Sequence, residues 1–570
     1  MTYIRHFLAE GHHVTSPFDG AFDETCDILV VGLGTAGCMA ALAAAKTGKR
    51  VIGIEAAPLP GGTPVTGFIT DYFYGISGGL HDGIDRDADA LLGTGLFYPH
   101  HAEKPGHPAY IRSASYAAAL DKASVLSHFD SRVGAVITDG ENRVRGVEYI
   151  KNDTVKTVGA KITIDAAEGV VCRLLGLPML GGRSSDGAFA HISRAVNVKE
   201  DGAIRFLYHN KGNFAGMDAE EETRLIYERG ACPPVLRDRY AEGGRSYGNA
   251  LTIGRREVAK VETETVYTLA DHLDGKKNDT LLYTFAPVDN SNPDAWNEDD
   301  DFLDWHVLCA MYACGITVSI DAGMLIPKGA DGLLVCGKHI GVGHSLAGSV
   351  RMQRDMARIG EAAGTIALLA VQNGVTVREA ASKTETLKNA LAGTGCADDT
   401  KNRGICDLNE PDGRLWKPLA LPQTEEELKN VLASDYPSPA LIAVRMGMIG
   451  DADTLYRYTK DADTILADNA AVALGLLRDA RALTRLRDIL QRAPYTLCHT
   501  HNQTYFYPWS RVTKNENYIK AIILVGRLGG ESDLQTLDAI AASREEGKST
   551  AAAYALCAAK RIRARTDRKE

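Results

Sequence analysis

The sequence predicts an α/β chain followed by an all-α repeat domain, and three observations carry that expectation. A short, wholly apolar run at 28–31 leads into a glycine turn and an alanine-rich stretch reaching residue 47. A second run of the same kind, Leu333-Leu334-Val335, ends in Cys336-Gly337 and is followed by a small-residue helical pattern up to Val371. Beyond residue 440 a helix, a short Gly/Asp turn and another helix recur. Apolar strands that alternate with helices belong to parallel sheets buried on both faces. Recurring helix pairs belong to α-solenoids.

Composition narrows the class. At 570 residues the chain exceeds one ordinary core, so two to four domains are expected. Its 45% hydrophobic and 24% charged residues describe an ordinary globular protein, and a net charge of −10 offers no basic stripe for nucleic acid. No run of about 18 apolar residues exists, so no membrane span is expected, and the first 24 residues lack the apolar core of a secretory signal. The eleven cysteines include no CxxC pair. That argues against iron–sulfur and structural zinc sites and for reduced thiols in a cytoplasmic protein. His81, His100, His101 and His107 lack the i, i+4 spacing of a helical metal pair, so no metal is expected.

The first glycine motif reads strand, turn, helix, strand. Ile28 to Val31 precede Gly32-Leu33-Gly34-Thr35-Ala36-Gly37, a G-x-G-x-x-G pattern. The first glycine permits the tight turn, the second admits a pyrophosphate close to the backbone, and the third lets helix pack on strand. The helix that follows, Cys38 to Thr47, points its first amides at the phosphate, and Thr35 and Ala36 in the turn are candidate cofactor contacts. Gly48 stops it, and Val51 to Ile54 form a second strand ending in Glu55, placed to accept hydrogen bonds from ribose hydroxyls. This is a Rossmann-type dinucleotide site, and by itself it serves NAD or FAD.

Two later features favour FAD: the glycine pair Gly61-Gly62-Thr63 soon after the acid, and the strand-and-glycine segment near 329–370. Here the chain resembles the FAD-dependent oxidoreductases related to fumarate reductase and succinate dehydrogenase flavoproteins. The pieces that carry the likeness are DILVVGLGTAGCMAALAAAKTGKRVIGIE, ITIDAAEG at 162–169, and IPKGADGLLVCGKHIGVGHSLAGSVRMQ with GEAAGTIA at 326–367. The resemblance implies a glutathione-reductase-like FAD-binding domain built from residues 24–181 and 322–375, with a cap inserted at 182–321. It implies FAD contacts from the turn, Glu55, the Gly61–Thr63 loop, Val133, Asp165, Gly337, Gly360 and Ala363. A late helix N-terminus would face the flavin, where a positive helix end stabilises the charge of the reduced ring. No histidine follows Gly61-Gly62, so covalent attachment has no support. Two departures stand out: Glu168 occupies the position of a family glycine, and in Gly254-Arg255-Arg256-Glu257-Val258-Ala259-Lys260 an alanine, Ala259, replaces a usual arginine.

The cap is expected to be mixed α/β, with strands near 189–198 and 280–287 and charged helices near 219–229. Candidate catalytic residues lie in the turn after the late strand: His344 and His339 as proton carriers near neutral pH, and Arg351 as an anchor for an anionic group. Tyr72, Tyr74 and Arg256 are candidate substrate contacts. The implied activity is two-electron transfer between bound FAD and a small organic substrate, with an unnamed electron acceptor. An NAD-linked dehydrogenase and a flavin-binding scaffold remain the alternatives.

Residues 376–432, polar and broken by Gly and Pro, read as a linker. Gly447, Gly475 and Gly526 begin three similar turns, each preceded and followed by an apolar helix, so 433–570 resembles HEAT-like repeats. Such an array suits a protein partner or an oligomer contact, as does the aromatic and histidine-rich stretch at 495–517.

Overall fold

The computed structural model describes residues 3–94, 100–101, 106–190, 193–200, 203–210, 241–289, 294–312, 314–408, 417–492, 516–545 and 549–567. The helix expected at 219–229 and nearly all of the stretch at 495–517 lie outside them.

An N-terminal hairpin, β1 (Tyr3–Ala9) and β2 (His12–Phe18), precedes β3 (Glu24–Val31). Helix α1 (Thr35–Ala44) leads to β4 (Val51–Ile54), and helix α2 (Ala109–Lys122) to β5 (Leu126–His128). A meander of β6 (Arg132–Thr138), β7 (Val144–Lys151) and β8 (Thr154–Asp165) follows. Strands β9 (Ser193–Glu200), β10 (Ala203–Asn210) and β11 (Arg245–Asn249) form a separate small sheet together with His100–His101. Strands β12 (Thr280–Pro287) and β13 (Cys314–Asp321) pair antiparallel, and the chain returns to the main sheet at β14 (Leu333–Val335) before the long helix α3 (Gln353–Asn373).

The main sheet runs β2-β1-β6-β7-β8-β3-β4-β5, with β14 also on β8. Its centre is parallel: Val31 lies opposite Ile54 on one side and Asp165 on the other, and Val335 lies opposite Asp165. The carboxyl ends of β3, β4, β8 and β14 therefore share one edge, where α/β sheets bind their ligands. This mixed sheet is consistent with a Rossmann-like FAD-binding fold. Ile28 to Val31 of β3 and the whole of β4 are buried on both faces, as their apolar runs require.

Helix α3 lies against α1 at close range. A Cβ on Gly360 would come within 2.0 Å of the Ala36 carbonyl oxygen, and one on Gly364 within 2.2 Å of that of Ala40. Ala363 is fully buried in the same helix. The glycine at 360, assigned from the sequence to cofactor contact, is demanded by helix packing. The polar side of α3 pins loops to the core. Asp355 accepts from the Ile76 and Phe285 amides, Arg358 donates to the Ile76 and Cys396 carbonyls, and Glu361 accepts from the Leu80 amide.

Residues 376–432, expected as a linker, instead carry packed elements. Helices Val377–Ala381, Thr384–Ala392 and Glu425–Leu432 bury Leu387, Leu391, Leu428 and Leu432, and Ile405–Asp407 pairs with β13. The C-terminal third is helical throughout its described residues: α4 (Ser438–Arg445), α5 (Ala452–Tyr458), α6 (Thr464–Leu476), α7 (Leu483–Arg492), α8 (Glu516–Leu528), α9 (Leu534–Ala541) and α10 (Ser549–Thr566).

These helices grip the segment 294–308 through charge. Asp304, buried, takes Arg445 Nε at 2.7 Å and an Arg527 guanidinium, while Asp300 takes Arg561 at 2.7 Å. Tyr554 meets Trp296 edge-on. Asp304→Leu is expected to cost roughly 2–3 kcal/mol, less than a fully isolated buried charge, because Asp300 still faces Arg527. Chemical denaturation measures it, and a loss below about 0.5 kcal/mol would show that this contact does not hold the helices down.

Candidate functional site

The glycine turn occupies the shared edge. Gly32, at φ +91°, can only be glycine, and its Cβ would also lie 2.8 Å from the Ala166 backbone. A Cβ on Gly37 would lie 1.8 Å from the Gly32 carbonyl oxygen. Gly34 is different. Its φ of −68° suits any residue, and a Cβ there would meet nothing nearer than the Gly62 Cα at 3.7 Å. Neither backbone nor packing demands glycine at 34, and the turn is open there.

The first amides of α1 are unsatisfied by the helix itself and face that space. The Gly61–Thr63 loop is seated beside it: the Gly61 amide donates to Leu33, and the Thr35 hydroxyl donates to the Gly61 carbonyl. Glu55 ends β4 with Oε2 on the Leu33 amide at 2.6 Å and Oε1 on the Ala57 amide at 2.8 Å. Burial raises its carboxyl above the ordinary value, and these amides work against the rise. The Ser131 amide donates to the Glu55 carbonyl, which brings Val133 and the start of β6 alongside. A turn open at Gly34, a helix start and a carboxylate at the second strand's end fit the diphosphate and ribose of a dinucleotide.

The opposite wall is the loop after β14. Gly337, at φ +102°, turns the chain into Lys338 and His339. Lys338 Nζ donates to the Arg255 carbonyl at 2.6 Å and to Thr63 Oγ1 at 3.3 Å, and stands 3.6 Å from Glu168. Glu168 in turn accepts from Arg255 at 3.2 Å. Burial resists the Glu168 charge, but Lys338 and Arg255 hold its carboxyl below the ordinary range. Burial pulls the Lys338 ammonium below its usual value against the support of Glu168.

The structure places the expected site residues in networks of ion pairs and hydrogen bonds. His344 is buried between two carboxylates, with Nδ1 2.8 Å from Glu257 and Nε2 3.0 Å from Glu298. Burial would lower its pKa, but the two carboxylates lift it to about 10. With both ring nitrogens on carboxylates, His344 ties the late loop to Glu257 and Glu298. Glu257 also accepts from Lys260 and from the Ala190 amide, and Glu298 from Arg183. Burial works against the Glu257 charge, yet Lys260 and His344 hold its carboxyl down at about 2. His339 is fully buried, its ring 3.7 Å from Asp165, and burial lowers its pKa. Asp165 accepts from the Ala167 and Cys172 amides, which fixes the turn after β8.

Tyr72 belongs to the core. Its hydroxyl donates to Asp85 at 2.7 Å and accepts from Arg112, and Arg354 lies 4.2 Å over its ring. His81 and His107 join the same network through Tyr116, Asp89 and Arg112. Tyr74 packs with Ile76, Phe285 and Cys406. Arg256 and Arg351, by contrast, converge: each donates to Asp289 Oδ2, at 2.8 and 2.9 Å. Asp289, Glu298, Arg183 and Lys338 carry no motif that reading the sequence could use. The nine described cysteines are free thiols.

A parallel-sheet edge with this turn, this acid and a second glycine loop defines a dinucleotide-cofactor enzyme. The chain belongs to the FAD dependent oxidoreductase family, whose sequence model matches residues 27–229 and 236–391. It is an FAD-dependent oxidoreductase. Among curated proteins nothing matches. Similar solved structures include a geranylgeranyl bacteriochlorophyll reductase-like protein from Thermoplasma acidophilum, 17% identical, covering 82% of this chain and 99% of that one, with TM-score 0.34. Another is the 3-ketosteroid-delta4-(5alpha)-dehydrogenase of Rhodococcus jostii RHA1, 12% identical over 61% and 98% of the two chains, with TM-score 0.30. A third, p-nitrophenol 4-monooxygenase PnpA from Pseudomonas putida DLL-E4, is 13% identical over 66% and 91%, with TM-score 0.30. Among the described residues no helix is long and apolar enough to cross a membrane.

Proposed function

We propose that this enzyme moves a hydride between FAD and a small carboxylate-bearing substrate, in the manner of the fumarate-reductase-related flavoproteins. The α1 amides and Gly34 would hold the diphosphate, Glu55 the ribose hydroxyls, and the Gly61–Thr63 and Gly337–Lys338 loops the passage toward the flavin. FAD supplies the two-electron carrier. The convergence of Arg256 and Arg351 on Asp289 carries the substrate reading. Asp289 orients both guanidinium forks, and planar forks pair bidentately with carboxylates. The His344 clamp ties the late loop to Glu257 and to the segment bearing Glu298, so it positions the arginine loop and leaves proton handling to other groups. The C-terminal helices, read as a short HEAT-like array, serve as a brace on residues 294–308.

The test is anaerobic mixing of the holoenzyme with small carboxylic acids and with their uncharged amides, followed by flavin absorbance. Acids should bleach or reoxidise the flavin where the amides do not. Arg351→Met should raise the KM for a reactive acid by about tenfold or more, corresponding to the loss of a charge-assisted pair, with FAD content unchanged. Equal reaction of acid and amide would reject the arginine assignment.

A further inference from the structure

Glu168 stands where the sequence departs from the pattern of the flavoproteins it resembles, and the structure gives it two cationic partners. The residue adopts φ +56°, left-handed backbone that favours glycine. A carboxylate is thus kept at a position whose conformation argues against one. Its two partners come from different parts of the chain: Arg255 from the segment after β11, and Lys338 from the turn after β14. Lys338 is mostly buried and also reaches Thr63, in the glycine loop assigned to the diphosphate. On the other side, Ala166 and Ala167 touch Gly32 of the first turn. The ion triad therefore lies between the two glycine loops, along the wall of the cofactor passage.

Two-electron reduction of a flavin at neutral pH adds a negative charge, and fixed charges near the cofactor decide how readily it is accepted. Lys338 and Arg255 favour that charge; Glu168 opposes it. Lys338 is the most buried member of the triad and the Glu168 side chain is 37% exposed, so solvent screens the contact in part without cancelling it.

We propose that Glu168 is a redox-tuning residue: it counterbalances Lys338 and Arg255 and thereby lowers the reduction potential of the bound FAD. The inference rests on the cofactor-site reading above. It concerns the poise of the cofactor and leaves the chemistry of the substrate open.

The experiment measures the midpoint potential of FAD-loaded wild-type, Glu168→Gln, Lys338→Met and the double variant by dye equilibration, with thermal stability and FAD content for each. Glu168→Gln should favour the reduced form about tenfold, an upward shift of about 30 mV for a two-electron couple. Lys338→Met should shift it downward, and the double variant should return close to wild type. Glu168→Gly should raise the potential as well while keeping or increasing thermal stability, because it relieves the left-handed backbone. A residue with a merely structural role would lower stability and leave the potential still. The proposal is overturned if Glu168→Gln, with FAD bound, leaves the potential unmoved or lowers it. It is equally overturned if the folded variant no longer binds FAD, since Glu168 would then be a binding element. Failure of the underlying site reading shows itself separately, as full FAD binding by a Gly34 variant.

Discussion

Glu257→Leu is expected to destabilise the enzyme by about 3–5 kcal/mol, because it leaves charges buried without their partner. Glu257 is almost wholly buried and receives Lys260, His344 and the Ala190 amide. Without it the His344 imidazolium keeps only Glu298, and Lys260 loses its carboxylate. The effect must depend on pH. The pKa of His344 is raised from 6.5 to about 10, so its contribution is fully present below pH 6.5 and is lost as the pH rises through about 10. That of Glu257 is lowered from 4.5 to about 2, so its contribution is present above 4.5 and is lost as the pH falls through about 2. Urea denaturation at pH 6 and pH 10 should therefore show the gap between wild type and variant narrowing at the alkaline end. A small, pH-independent gap would mean that the clamp stabilises nothing.

Gly34→Ala should leave the apoprotein within about 1 kcal/mol of wild type, the scale of an N-cap substitution, yet weaken FAD binding about a hundredfold. A methyl group there meets only the Gly62 Cα at 3.7 Å, so the fold has room for it. The cofactor diphosphate does not, since that space is where it would approach the backbone. Gly37→Ala makes the contrast: its methyl would strike the Gly32 carbonyl, so the turn itself must move and stability falls along with binding. Quenching of FAD fluorescence by apoprotein, beside a melting curve, separates the two variants. Full FAD affinity in Gly34→Ala would move the cofactor elsewhere.

The glycine turn, Glu55 and the late strand could be read from sequence because each is local: its meaning lies within thirty residues of apolar runs and glycines. The site beyond them was only partly legible. His344 drew notice as a histidine in a glycine-rich turn, but its role depends on Glu257 and Glu298, 87 and 46 residues away. Glu168 was visible as an oddity, and only the fold pairs it with Lys338. Tyr72 sat in an aromatic cluster near the diphosphate loop, and no spacing rule could reveal that Asp85 and Arg112 engage its hydroxyl. Residues 376–432 looked like a linker because Gly and Pro interrupt them, while their leucines face a core supplied by α3, β12 and the C-terminal helices. The hairpin of β1 and β2 left no signature: β2 is mostly exposed, and its pairing with β1 needs no apolar alternation.

The brace on Asp304 has a consequence for how the enzyme comes into being. Its arginines come from residues 445 and 527, and the neighbouring Asp300 waits for Arg561. On the ribosome the Rossmann-like part emerges while the C-terminal helices are still unmade. The stretch that presents Glu298 to His344, however, gains its support only after Arg445, Arg527 and Arg561 have been made. Competence therefore depends on helices that hold none of the proposed cofactor contacts, and a chain cut before them would lack a settled arginine loop.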